Sequence, residues 1–470
     1  MVMPILTSRT IRLAVLVFAL GIYAASQTSP QPQPNQAPVP GFGQTAPVLS
    51  PENPPVTGID SPRLDLPTAS RSFFSPALQL SESADTNGGN QLGNTRTQSV
   101  TRVLGAFDLQ QFWPKSDLFL EYLGGGAFYA NPYDVRQLQA AGLEGVTRWR
   151  TGQATLRDSF SYVPDGSFQI GTYGGVPGFG LATGGMGLQG GGVPGGRFGN
   201  NQFGSIGNIA RLANTVIVDA IQAINPRSAI TFAGGFSNAH FYDPTNTLIN
   251  SDQVTVEGGY SHLVSKHDQV GAIYAFQLLQ FPQATGGQIY THTFNLRWSH
   301  SITGRLSFIA GAGPQYTVIE EGGNQHHWSA SGRVQLHYKW DRASIVATYE
   351  KFTSQGSGFI AGANTQAARL GYRRPFGRTC DFFVDLGYSH NTKLETLAFL
   401  GLPVSTYDEG SAGVILRKHY GRSYDLFAAY RFSEVAFDVP VCLVGSCGRI
   451  DRRHIGTVGV EWHPSPTRIE

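Results

Sequence analysis

Beyond Ser70, apolar and polar residues alternate with a period of two along most of the chain. In QIYTHTFNLRWSHS (residues 288–301), Tyr290, His292, Phe294, Leu296 and Trp298 fall on one face, and Thr291, Thr293, Asn295, Arg297 and Ser299 on the other. A β-strand turns successive side chains to opposite faces, so the segment reads as a strand with one apolar and one polar side. The same alternation runs through residues 268–281, 327–340, 342–352, 381–390 and 424–433. Many runs reach ten to fourteen residues. Soluble strands average ~5–6, whereas ~9–11 cross a bilayer at a tilt. Aromatic residues near the run ends, such as Tyr290 and Trp298, Tyr338 and Trp340, and Tyr430 and Phe432, suit girdles at two membrane interfaces.

The connections alternate in length. Tight ones fall at Trp113-Pro114-Lys115, Pro164-Asp165-Gly166, Asn225-Pro226-Arg227, Ser265-Lys266, Thr303-Gly304, Asp341, Phe376-Gly377 and Tyr420-Gly421. Longer ones fall at residues 85–94, 131–140, 242–251, 282–287, 321–326, 353–364, 393–404 and 437–450. Outer-membrane barrels show this asymmetry, with short periplasmic turns and long external loops. Strands are expected near 75–84, 98–110, 116–129, 150–162, 166–173, 213–224, 227–241, 252–264, 267–281, 288–301, 304–320, 326–340, 342–354, 363–375, 377–391, 406–419, 421–436 and 449–463. The expected fold is all-β: a transmembrane antiparallel up-and-down barrel of about eighteen strands, sixteen being the alternative. One segment has two readings, because Ile209, Leu212, Val216, Ile217, Ala220 and Ile224 also follow a helical stripe; strand closure favours a strand over residues 208–224.

Composition agrees with β-structure and many turns: Gly 58, aromatic residues 11%, charged residues 14%, with only Cys 3 and Met 3. A net charge of +2 gives no basic footprint for nucleic acid. Arg9 and Arg12 precede the apolar run 13–23, and Ala24-Ala25-Ser26 supplies small residues at a cleavage site, so residues 1–26 read as a secretory signal peptide. Residues 27–68, rich in Pro, Gln, Ser and Thr, read as a disordered periplasmic arm, which leaves 69–470 for the barrel.

The closing segment RRHIGTVGVEWHP, with Val458, Val460 and Trp462 on one face, resembles the C-terminal signal that bacterial barrel-assembly machinery reads. INPRSAITFAGGFSNAHFYD, GAIYAFQLLQF and LSFIAGAGPQYT resemble the porin-like, mostly uncharacterised outer-membrane barrels of soil bacteria of the acidobacterial kind. The resemblance covers roughly residues 73–464 and rests on turn and strand signatures. It implies a fold and a location in the outer membrane, with lipid and the assembly machinery as partners, and says little about cargo.

If Phe294 and Trp298 meet lipid, Arg297 points inward. Carried across the sheet, the alternation turns Glu257, Arg333, Glu350, Arg369, Asp385, Arg417, Asp425, Arg431 and Glu461 inward as well. Such a lining holds water and sets ion selectivity, or it pairs internally and stabilises a plugged interior. Cys442 and Cys447 lie in the last long connection of an exported chain, where a disulfide is expected, and Cys380 is expected to be a free, buried thiol.

Other motifs carry less. Gly185-Met186-Gly187-Leu188-Gln189-Gly190 has the spacing of a nucleotide-binding loop, but Gly191-Gly192-Val193-Pro194-Gly195-Gly196 follows it, where no helix starts. The stretch reads as a long external connection, mobile outside or folded into the mouth. Ser261-His262, Ser299-His300 and Ser389-His390 suggest nucleophile and base, yet strand neighbours point to opposite faces. His326-His327 fails as a metal site for the same reason. The function expected is a non-enzymatic channel for small hydrophilic solutes, without metal or cofactor. A closed structural or surface-interaction barrel and an export conduit for a secreted polysaccharide are the alternatives.

Overall fold

A computed structural model describes residues 72–86, 97–130, 133–163, 210–242, 248–282, 287–320, 324–340, 342–354, 356, 358, 360–377, 379–394, 404–421, 423–443, 446–465 and 467–468. Eighteen long strands run in chain order. They are β1 (Phe73–Asp85), β2 (Gln98–Phe112), β3 (Ser116–Ala130), β4 (Tyr133–Trp149), β5 (Gly152–Val163) and β6 (Arg211–Asn225). There follow β7 (Ser228–Phe241), β8 (Ser251–Leu263), β9 (Asp268–Gln280), β10 (Gln288–Thr303), β11 (Leu306–Glu320) and β12 (Asn324–Lys339). The set ends with β13 (Ser344–Ser354), β14 (Ala363–Phe376), β15 (Cys380–Lys393), β16 (Thr406–Tyr420), β17 (Tyr424–Leu443) and β18 (Ser446–Trp462). Each pairs antiparallel with its neighbours, and β1 closes on β18 from Leu78↔Trp462 to Asp85↔Ile455. A final two-residue strand, Thr467–Arg468, pairs with Phe74 and Phe73.

Closure removes both sheet edges, so the ladder pairs backbone N–H and C=O groups all round the ring without help from water. The side chains are then sorted inside out. Leu296 is 61% exposed on the outer face, whereas Arg297 beside it is 6% exposed on the inner face. Leu80, Phe232, Tyr274, Trp298, Leu386, Leu416, Tyr430 and Val458 point outward from strands all round the ring. Ser, Thr, Gln and Arg fill the inner positions of the same strands. In water such a surface would be strongly unfavourable, at about 25 cal/mol for each Å² of apolar area. Lipid tails cover it at no such cost.

At one end the hairpins turn within two to four residues, as between Asn225 and Ser228 or Thr303 and Leu306. At the other, the connections extend to the 47 residues of 164–210 between β5 and β6. The glycine-rich stretch and the expected turn at Pro164-Asp165-Gly166 lie outside the described residues, as do the signal peptide and the arm.

Two expectations change. Residues 131–140 are not a long connection, because β4 begins at Tyr133. Its alternation is hidden because the faces are mixed: Leu138 is buried inward with Leu104, Ala106 and Leu123, while Gln137 and Gln139 are exposed on the outer side. The strand expected at 166–173 lies outside the described residues; among those described, β5 pairs directly with β6 from Gly152↔Gln222 to Val163↔Arg211. Residues 437–443, 446–450 and 324–326 are likewise strand, with β17 running to Leu443, β18 starting at Ser446 and β12 starting at Asn324. Residues 211–225 are strand and not helix, with Ile217 and Ile221 inward and Val218 and Ile224 outward.

The largest apolar clusters lie at the long-loop end. One contains Ala239, Phe241, Leu248, Ile360, Ala363, Val404, Tyr407, Val435, Phe437 and Val441. Another contains Ile249, Leu279, Phe281, Ile289, Ile319, Ala361 and Leu394. Both collect strand ends and the loop segments between them.

Leu296 tests the outward face. Leu296→Arg is expected to lower unfolding free energy in liposomes by about 2–4 kcal/mol, the cost of a lipid-facing arginine near the midplane, while the inward Thr293→Ser leaves it nearly unchanged. Urea titration followed by tryptophan fluorescence reads both.

Candidate functional site

The inner wall of β10 to β14 brings four of the expected residues together. Arg297 on β10 and Arg333 on β12 both face Gly311 on β11 in the register, and Arg333 faces Glu350 on β13. Arg369 on β14 faces Thr348, one inward position along from Glu350. All four side chains are buried on the inner face. Gly311 is required here: a β-carbon on it would come 2.9 Å from Arg297 Cγ, so the arginine stem lies across the glycine backbone. Arg333 Nη2 donates to Gln335 Oε1 at 2.6 Å, which turns its guanidinium along the strand.

A second group sits at the tight-turn end on β15 to β18. Arg417 Nη1 donates to Asp425 Oδ2 at 3.0 Å, and its Nη2 to Glu461 Oε2 at 3.3 Å, with all three side chains at 1% exposure or less. His419 lies between carboxylates, with Nδ1 2.7 Å from Asp425 Oδ1 and Nε2 3.0 Å from Asp381 Oδ2. Asp381 and Asp425 take the first inner positions of β15 and β17, Arg417 and His419 the last two of β16, and Glu461 the last of β18, which is why the five meet. The bonds run around the wall, between neighbouring strands or, for Arg417 and Glu461, across one intervening strand.

Glu257 is buried inward on β8, and Arg431 is half-buried on the inner side of β17. Of Asp385 only the backbone position is described, between Gly371 and Gly413. Cys442 and Cys447 face each other across the β17–β18 hairpin and are disulfide-bonded, with Cα atoms 4.0 Å apart. Cys380 is free but half-buried instead of buried, because it opens β15 beside a turn.

The alternation also reached charged residues that had not been picked out. Arg157 pairs with Asp219 between β5 and β6. Arg453 Nε donates to Asp85 Oδ1 at 3.0 Å across the β1–β18 seam, and Arg102 donates to Ser83. Arg211 and Glu409 are buried inward near the long-loop end. Each lies at the inward parity of its strand, so the same reasoning extended to β1, β2, β5, β6 and β18 would have found them.

The Ser-His pairs are split by the pleat. Ser261, Ser299 and Ser389 are buried inward, while their histidines bond elsewhere on the outer side. His262 Nδ1 lies 2.9 Å from Ser228 Oγ, His300 Nδ1 2.7 Å from Asp268 Oδ1, and His390 Nδ1 2.7 Å from Asp408 Oδ1. His326 Nδ1 lies 2.7 Å from the Tyr316 hydroxyl, whereas His327 is opposite the inward Thr317. Among the described residues no group of three or more His, Cys, Asp or Glu side chains could hold a metal ion.

No family model matches this chain, and no curated protein matches it. Among solved structures, it is similar to Pseudomonas aeruginosa OccK5 (OpdH) at 10% identity and TM-score 0.41, covering 84% of this chain and 98% of that one. It is similar to Pseudomonas aeruginosa OccK2 (OpdF), in complex with glucuronate, at 9% identity and TM-score 0.40, over 85% and 98%. Acinetobacter baumannii OccAB4 gives 8% identity and TM-score 0.39, over 84% and 98%. Likenesses of that size decide nothing about cargo, which the geometry of this chain has to supply.

Removing Arg417 would leave the buried Glu461 without its cation and Asp425 with only the His419 bond among those described above. Arg417→Ala is expected to cost about 3–5 kcal/mol, seen as a lower urea midpoint and earlier conversion of the folded band on heating. A non-reduced peptide spanning Cys442 and Cys447 is expected two hydrogens lighter than its reduced form.

Proposed function

We propose that the chain is an outer-membrane channel through which small hydrophilic solutes diffuse, without catalysis, metal or cofactor. The observation that carries this reading is the sorting of the faces: an apolar exterior that only lipid covers, around an inner wall lined by Arg297, Arg333, Glu350 and Arg369 on β10, β12, β13 and β14. Ion pairs that run around the wall, such as Arg417 with Asp425 and Arg157 with Asp219, hold neighbouring strands together without bridging a lumen. Charged rings of this kind set the selectivity of pores.

The chain's place in the cell follows from the same reading. Residues 1–26 direct export, residues 27–68 form a periplasmic arm, and the tight turns face the periplasm. The last strand, with Trp462 near its end, offers itself to the assembly machinery. The turn and strand signatures support a kinship with porin-like barrels of the acidobacterial kind.

A second reading, a closed structural barrel, is favoured by the low exposure of the inner wall, where Arg417 and Glu461 are at 0%. Conductance in a planar bilayer separates the two. A channel gives discrete ohmic steps from protein whose folded state is confirmed by heat-modifiable migration; the closed barrel gives none under any condition. If Arg297 and Arg333 line the path, replacing both with Gln is expected to move the reversal potential in a salt gradient toward cation preference. An unchanged reversal potential removes them from the lining.

A further inference from the structure

The contrast between the two ends of the barrel leads beyond a simple diffusion pore. At the tight-turn end of β15 to β18 the inner side chains are charged, whereas at the long-loop end an apolar cluster forms alongside the buried Arg211 and Glu409. Its members come from nearly opposite walls. Ala239 and Phe241 lie on β7, and Tyr407, Val435, Phe437 and Val441 on β16 and β17. In an eighteen-strand ring β7 and β17 are ten strands apart one way and eight the other. Ile360, at 0% exposure between β13 and β14, and Leu248 and Val404 from two further connections complete the cluster.

The segment that carries Ile360 is tied into this position from two sides. The Ile249 N–H donates to the Gly358 carbonyl at 2.9 Å, and the Leu394 N–H to the Gly362 carbonyl at 3.3 Å. Gly358 has φ of 84°, and a β-carbon there would come 2.7 Å from the Phe241 ring, so only glycine permits both the turn and the contact. Ile360 enters one apolar cluster and the adjacent Ala361 the other. From the far wall the β17–β18 hairpin reaches past β1, whose pairing with β18 stops at Asp85↔Ile455. That overhang carries Val441 into the cluster and is cross-linked at Cys442 and Cys447.

We propose that Phe241, Leu248, Ile360, Val404, Phe437 and Val441 form a hydrophobic gate at the outer mouth. Apolar side chains packed in a passage exclude water, and ions cannot cross without it. The packed cluster is the shut state of this gate. Opening separates Ile360 from the apolar side chains of the β17 side. The cross-linked hairpin is the firm jamb and Ile360 the moving part. The proposal rests on the channel reading.

Single-channel recording of the full chain in planar bilayers tests it, using Ile360→Asp, which hydrates the gate, and Val441→Ser, which weakens it from a hairpin outside the lipid-covered band. Folded state is checked for each by heat-modifiable migration. Wild type is expected to be shut most of the time with brief openings. Both variants are expected to raise the open fraction by roughly tenfold or more, at a similar conductance per step. Wild type that stays open, with variants indistinguishable from it, overturns the gate and leaves the channel standing. Folded wild type and variants that never conduct overturn the channel and the gate together.

Discussion

The whole structure depends on satisfying backbone hydrogen bonds where no water is present. A sheet in lipid can do so only by closing on itself, and this one closes through β1 and β18. Closure fixes the faces of every strand at once. A slip of one residue in any strand would send its arginines to lipid and its aromatic residues to the lumen, so register is held by the cost of the wrong face more than by any single contact. The seam is also reinforced from within, by Arg453 with Asp85 and by Ser83 with Thr457 at 2.8 Å.

Much of this was legible in the sequence because an inside-out strand writes its pattern plainly. Residues 288–301 read as one greasy and one wet face, and β10 has them so. The inward parity of Arg297, Arg333, Glu350 and Arg369 followed from alternation alone. Where the faces are mixed or both apolar, the pattern fades: β4, with Gln137 and Gln139 outside and Leu138 inside, reads as a connection, and β6, with Ile217 inside and Val218 outside, also fits a helix. What period-two reasoning does not contain is register. It placed Arg417, Asp425 and Glu461 inward but could not bring them to one height, and it did not single out Asp381 and His419, which complete the group.

The two ends of the lumen use different physics. At the turn end, charges are matched between neighbours, which makes the wall stiff and costly to disturb by removing one partner. At the loop end the packing is apolar and drawn from several connections, which makes it separable. The glycine at position 358 and the overhang of β17 and β18 look unremarkable in the sequence, where they read as loop. Their effect appears only when elements from far parts of the chain share one mouth.

The sorting of faces is tested most directly by a nitroxide scan along residues 290–299 in liposomes. Single cysteines are introduced and labelled one at a time in a background without Cys380, Cys442 and Cys447. Collision with lipid-soluble oxygen is predicted to be high at positions 290, 292, 294, 296 and 298 and low at the odd positions between them. A flat profile, a helical period, or oxygen maxima at the odd positions would contradict a barrel with Leu296 in lipid and Arg297 within.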